Sequence, residues 1–178
     1  MELTDAIDLI RNDKIIKKQA TVWADLGSGN GMFTQALSYL LKAGSLIYAV
    51  DSSKSALSQM RPLPDGINVE KIRADFIQDV FAFHNLDGIL LANALHYVSD
   101  KVSFFRKAEQ WLQPAGCFLL VEYDTDRSNP WVPYPISFKT LGRLIGQLEY
   151  QGIEKLHERP SIYNKAPIYS AVVTLRFI

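Results

Sequence analysis

Residues 20–31, ATVWADLGSGNG, set a short apolar run directly against three alternating glycines, Gly27, Gly29 and Gly31. The residues that follow, 32–42, carry Phe33, Ala36, Leu37, Leu40 and Leu41 at helical spacing. A strand that turns on glycine and returns as a helix is the opening unit of a parallel sheet, because parallel neighbours need a crossover to bring the chain back. The unit then repeats. Runs at 45–50, 67–72, 86–92 and 117–123 read as strands, and 4–17, 53–60, 101–112 and 137–150 as helices. Two late strands are expected near 153–158 and 168–177. Strands alternating with helices predict an α/β fold whose sheet is covered on both faces. Ligands of such sheets sit outside the carboxyl ends of the strands, at the switch point. Five segments fall on that rim: 25–31, 51–53, 75–77, 93–97 and 122–126.

With 178 residues, 48% of them hydrophobic, and no repeat or linker, one domain spanning 1–178 is expected. Lys+Arg and Asp+Glu both number 19, so no global field gathers nucleic acid or an anionic membrane surface. The single cysteine, Cys117, cannot form an intrachain disulfide or a cysteine-based zinc site, and no metal set is expected. No apolar run approaches the ~18 residues of a membrane span, and residues 1–18 lack a signal-peptide core. A cytoplasmic location is the expectation.

The rim chemistry starts at the glycines. A dinucleotide fingerprint, Gly-x-Gly-x-x-Gly, would need its third glycine at position 32, where Met32 stands; Gly31 is one residue early. Asp25 would also stand where a pyrophosphate belongs and would repel it in a low-dielectric cleft, whereas a cationic ligand would be favoured. Asp51 closes the second strand, in position to accept hydrogen bonds from ribose hydroxyls. After the third strand, Asp75 beside Phe76 offers an acceptor and an aromatic face that suit an adenine. Together these places describe an adenosine with a cation where the pyrophosphate would be.

The series Asp25-Leu26-Gly27-Ser28-Gly29-Asn30-Gly31, Asp51, Asp75-Phe76 and Asn93-Ala94-Leu95-His96-Tyr97 resembles, in order and spacing, the motifs of class I S-adenosylmethionine-dependent methyltransferases. The run 94–98 and the run 111–116 look most like the type 11-like, small-molecule branch. The resemblance covers about 21–123. It implies a Rossmann-like, doubly wound, mostly parallel seven-stranded sheet with an antiparallel C-terminal strand. It divides the chain into a short helical cap (1–19), a cofactor-binding core (20–123) and a substrate-side loop with C-terminal helix and strands (124–178). The implied cofactor is S-adenosyl-L-methionine, held by Asp25, Gly27, Ser28, Gly29, Asp51, Ser52, Asp75, Phe76 and Asn93. Asp25 and the Asn93 carbonyl would face the methionyl ammonium, Asp51 the ribose, and Asp75 and Phe76 the adenine.

Methyl transfer from a sulfonium needs alignment more than acid–base help. His96 is the candidate base, with a rim-shaping role as the alternative; His84 and His157 read as surface or turn residues. Tyr97, Tyr123 and Trp131 are the candidate acceptor contacts, with Glu122 and Asp124 beside them; the proline-stiffened segment 128–135 either clamps an acceptor or only caps the sheet. The Asn/Asp-Pro-Pro-aromatic motif of base amino methylation is missing after the fourth strand, where Asn93-Ala94-Leu95-His96 stands, and Cys117 lacks a preceding proline. Methylation of DNA bases is therefore not expected, and the resemblance to the type 11-like branch implies a small-molecule acceptor. The short cap and the short 124–136 loop leave either an open site, for a large or protein-borne acceptor, or one covered by a second copy. Three readings result: a methyltransferase acting on an O, N or C nucleophile, an NAD(P)-binding oxidoreductase, and a non-catalytic binder with the same fold.

Overall fold

The computed structural model describes residues 1–161 and 166–176. Seven strands, β1 (Val22–Leu26), β2 (Leu46–Asp51), β3 (Asn68–Arg73), β4 (Leu86–Ala92), β5 (Leu112–Tyr123), β6 (Gly152–Arg159) and β7 (Ile168–Thr174), form one sheet in the order β3-β2-β1-β4-β5-β7-β6. The first five pair in parallel; β7 runs antiparallel to both β5 and β6. Phe177, the end of the expected last strand, lies outside the described residues. The sheet order matches the mostly parallel, seven-stranded expectation. The chain reverses direction across the sheet between β1 and β4, which places the switch point over the glycine turn.

Five helices cover the sheet: α1 (Leu3–Ile10), α2 (Met32–Ser38), α3 (Lys54–Ser58), α4 (Lys101–Ala108) and α5 (Phe138–Gln147). On one face, Trp23, Ile47, Leu90, Leu119 and Val172 meet Leu9 and Ile10 of α1 and Phe33 and Leu37 of α2, while Leu57 of α3 packs on Ala49. On the other, Leu26, Ile89, Leu91, Phe118 and Val173 meet Phe104 and Phe105 of α4 and Leu141 and Ile145 of α5. Central strands buried on both faces read as unbroken apolar runs, which is why β4 and β5 stand out in the sequence. Gly88 in β4 makes room for the Trp23 indole, whose ring atoms a Cβ there would meet at 2.2 Å.

The helices expected at 32–42, 101–112 and 137–150 end earlier, at Ser38, Ala108 and Gln147, and two further boundaries differ for local reasons. The first helix stops at Ile10 rather than running to 17. The Asn12 side chain donates to the Ile10 carbonyl and accepts from the Lys14 and Ile15 N–H groups, closing a turn in place of a helical one. β5 starts at Leu112, not 117, after a 3-10 turn at Glu109–Trp111. Leu112 pairs with Leu86 and Cys117 with Gly88, and the register jump between them accommodates Pro114, which has no N–H for the ladder.

The amino-terminal region is fastened to the last strands. Arg159 Nη1 pairs with Asp5 Oδ1 at 2.9 Å, Lys14 Nζ with Glu154 Oε2 at 2.8 Å, His157 Nε2 meets the Arg11 carbonyl at 2.9 Å, and Ser170 Oγ donates to the Leu9 carbonyl. Among the described residues, no helix is long and apolar enough to cross a membrane.

Candidate functional site

The glycine turn follows β1 with Gly27, Gly29 and Gly31 all at positive φ. Gly27 lies flat on the end of β4: an added Cβ would stand 2.7 Å from Ala94 Cβ and 3.3 Å from Phe76 Cε1. The turn is pinned to β2, because the Gly27 and Ser28 N–H groups both donate to the Val50 carbonyl at 2.9 Å. Asp51, closing β2, accepts from the Gly29 N–H through Oδ2 and the Ser53 N–H through Oδ1, each at 2.8 Å.

Above this turn the rim opens into two lobes that share Gly27 and Asn93. The larger, about 600 Å³, is lined by Asp25, Ser28, Gly29 and Asn30, by Phe33 of α2 and Tyr123 of β5, and on the far side by Met1, Glu2, Asp5 and Arg159. The smaller, about 360 Å³, is lined by Asp51, Ser52, Asp75, Phe76, Ala94 and Tyr97. All nine residues expected to hold a cofactor thus line one lobe or the other.

The two lobes differ in how their polar groups are satisfied. Asp25 is 1% exposed, and Thr34 Oγ1 donates to its Oδ2 at 2.5 Å. Burial pushes its carboxyl up to about 7, against the Thr34 hydrogen bond and with a further push from the Asp51 charge. Ser28 Oγ and Asn93 Oδ1 are buried without a hydrogen-bond partner among the described residues. Asn93 also holds a left-handed backbone, φ 53°, with its N–H donating to the Val121 carbonyl at 2.8 Å. In the smaller lobe, Asp75 is exposed and caps its own turn, its Oδ1 accepting from the Ile77 and Gln78 N–H groups at 2.9 and 3.3 Å. The Phe76 ring beside it is held edge-on by Phe104, 5.8 Å between centroids.

The acceptor-side expectations fare unevenly. Tyr97 and Tyr123 line the smaller and the larger lobe respectively. Trp131 lines neither: it is 82% exposed at the tip of a turn in which Asn129 Oδ1 accepts from the Trp131 and Val132 N–H groups at 2.9 and 3.0 Å. The segment around it is tied down, with the Tyr134 N–H donating to the His96 carbonyl at 2.9 Å and Lys101 Nζ to the Tyr134 carbonyl at 2.7 Å. Glu122 lines neither lobe and is fully buried. Its Oε1 accepts from the His96 N–H at 3.1 Å, and its Oε2 lies 2.8 Å from His96 Nδ1. Asp124 fastens neighbouring elements instead, accepting from the Phe138 N–H at 2.8 Å and from Lys155 Nζ at 3.1 Å. His96 is buried behind the rim and lines neither lobe; its ring centroid lies 4.4 Å from that of Tyr97 and 6.3 Å from that of Tyr123.

Sequence reasoning missed the far wall of the larger lobe. Asp5 and Arg159 meet there because α1 docks beside β6, and no local motif signals that pairing. The Arg159 hydrogen bond, together with that from the Glu2 N–H, holds the Asp5 carboxyl below its usual range.

A family model described as "Methyltransferase domain" (Methyltransf_11) matches residues 24–120, more than half of the chain. Among solved structures, a SAM-dependent methyltransferase from Leishmania major aligns with a TM-score of 0.67 at 22% identity, over 86% of this chain and 65% of its own length. The N-terminal domain of EvdMO1, solved in the presence of SAH (S-adenosylhomocysteine) and D-fucose, aligns with a TM-score of 0.67 at 18% identity, over 97% of this chain and 83% of that one. A SAM-dependent methyltransferase from Aquifex aeolicus aligns over 100% of both chains with a TM-score of 0.61 at 14% identity. At these identities the likeness is one of fold. None of the curated proteins matches the chain.

Proposed function

The chain belongs to the methyltransferase-domain family, whose methyl donor is S-adenosylmethionine, and from that premise we propose that it methylates a nucleophilic O, N or C atom of a small molecule. The observation that carries this reading is the divided cleft. The buried Asp25 carboxyl and the unpartnered Ser28 Oγ line the larger lobe, Asp51, Asp75 and Phe76 line the smaller, and Asn93, with its unpartnered Oδ1, lines both. The donor has the complementary layout, cationic at its methionine end and adenosine at the other. Asp25, Ser28 and Asn93 would hold the methionine end, Asp51 and Ser52 the ribose, and Asp75 and Phe76 the adenine. A pyrophosphate in the larger lobe would instead meet Asp25 in a place of low dielectric.

When bound, the donor supplies a methyl group on a sulfonium: the acceptor takes the methyl, the C–S bond breaks with its electrons on sulfur, and S-adenosylhomocysteine remains. What the chain's own residues contribute is alignment and exclusion of water. Gly27 lets the backbone come close, Phe76 and Ala94 fix the floor, and Tyr97 and Tyr123 form apolar walls toward the acceptor.

Titration calorimetry with S-adenosylmethionine, S-adenosylhomocysteine and NADH tests the reading. Binding of the first two and not the third is expected. NADH binding without the others would overturn it. Methyl release from labelled donor to a panel of phenols, amines and carbon acids then separates an enzyme from a binder.

A further inference from the structure

The larger lobe has a charge problem that the motif residues do not solve. Its walls carry three carboxylates, Glu2, Asp5 and Asp25, which suit a sulfonium and an ammonium. The methionine end of the donor also carries a carboxylate. Buried or half-buried carboxylates are tolerated when a cation or several N–H donors meet them. Among the described residues lining either lobe, Arg159 is the one lysine or arginine. It comes from the end of β6, outside every motif of the core.

Arg159 is also placed so that it can change partners. Its Nη1 pairs with Asp5 Oδ1 at 2.9 Å, and both side chains remain about one third exposed, at 34% and 36%. A guanidinium offers five N–H donors in a planar fork that matches a carboxylate. Asp5 is tied a second way, its Oδ2 accepting from the Glu2 N–H at 3.2 Å, so it keeps a partner when Arg159 turns away. The exchange replaces one carboxylate by another on the same cation and leaves the count of ion pairs unchanged.

We propose that Arg159 binds the carboxylate of the donor's methionine moiety, taking it in exchange for Asp5. The proposal rests on the methyl-donor reading above. Asp5 then acts as a stand-in for the ligand: it holds Arg159 at the lobe while the cleft is empty and competes with the ligand when it is filled.

The competition gives a test in which two substitutions at one ion pair have opposite effects. Calorimetry is carried out on the full chain with two probes, S-adenosylhomocysteine and 5′-methylthioadenosine, which lacks the amino-acid portion. Arg159→Gln is expected to weaken S-adenosylhomocysteine binding about 10- to 100-fold, the loss of a charge-assisted hydrogen bond, and to leave 5′-methylthioadenosine unchanged. Asp5→Asn removes the same ion pair but frees Arg159, and is expected to tighten S-adenosylhomocysteine binding several-fold. If the pair only fastens α1 to β6, both variants weaken binding alike, and the proposal is overturned. Equal losses for the two probes in Arg159→Gln overturn it as well. Failure of the methyl-donor reading looks different: the wild-type chain then binds neither probe.

Discussion

The two lobes of the cleft are built from the same kinds of residue and treat them in opposite ways. In the smaller lobe, Asp51 and Asp75 are each held by two backbone N–H groups before any ligand arrives. In the larger, Asp25 is buried with one hydroxyl for company and Ser28 Oγ has no partner among the described residues, as is also true of Oδ1 of Asn93, which the two lobes share. The smaller lobe is a finished receptor whose acceptors are already aimed. The larger is left under tension, because desolvated polar groups lower stability until something binds them. The difference teaches that carboxylates satisfied by their own backbone can be rigid and cheap in stability, whereas a carboxyl kept away from water is costly until it meets a partner.

Five substitutions probe that contrast. The His96–Glu122 pair is buried behind the rim, so His96→Ala, which strips the ring from Glu122 Oε2 and leaves Oε1 with the backbone N–H, is expected to cost about 3–5 kcal/mol. Urea midpoints would read the loss, and an unchanged midpoint would show that the pair does not hold the fold behind the lobes. Asp25→Asn tests the tension directly. Asp25 holds its proton more tightly in the folded chain than in the unfolded one, where the value is 3.8. Its share of stability is therefore fully present below pH 3.8 and lost as pH rises to about 7. At pH 8 the asparagine variant should be more stable by up to about 4 kcal/mol, with weaker S-adenosylmethionine binding. Thermal melts that coincide with wild type at pH 8 would remove the strain from the larger lobe.

Asp51→Ala addresses the finished lobe. Cofactor binding should weaken by about 1.5–3 kcal/mol, the range for hydrogen bonds to a charged group, and a calorimetric dissociation constant equal to wild type would take Asp51 out of the site. The smallest effect is a matched pair. Ser28→Ala deletes an unpartnered hydroxyl and should gain up to about 1 kcal/mol, while Ser53→Ala deletes the cap that accepts from the Ala56 N–H and should lose about 1 kcal/mol. Equal signs for the two would erase the distinction between the lobes.

The parts legible in the sequence are those a strand carries with its own turn. Asp25, Asp51, Asp75 and Asn93 each sit at or just past the end of a parallel strand, and the switch-point rule brings such places together without knowledge of any distant contact. Glu122, the last residue but one of β5 as Asp25 is of β1, defeated the same rule because its side chain is buried against His96 instead of lining a lobe. Trp131 looked like an acceptor contact on its aromatic character alone, but Asn129 closes a turn that points it outward. The Asp5–Arg159 wall was beyond reach for another reason: it depends on β7 inserting between β5 and β6 and on α1 docking beside them.

The fastening of α1 to β6 and β7 also sets an order of assembly. The residues proposed to hold the donor from the glycine turn to the end of β4 lie between Asp25 and Asn93, on elements made before β5 to β7. Asp5, made before all of them, waits for Arg159, and Leu9 waits for Ser170. A chain still being synthesised therefore possesses every recognition motif long before it possesses an enclosed cleft. Ligand-dependent protection from proteolysis should appear late, when the last two strands have joined the sheet and drawn the first helix across the mouth.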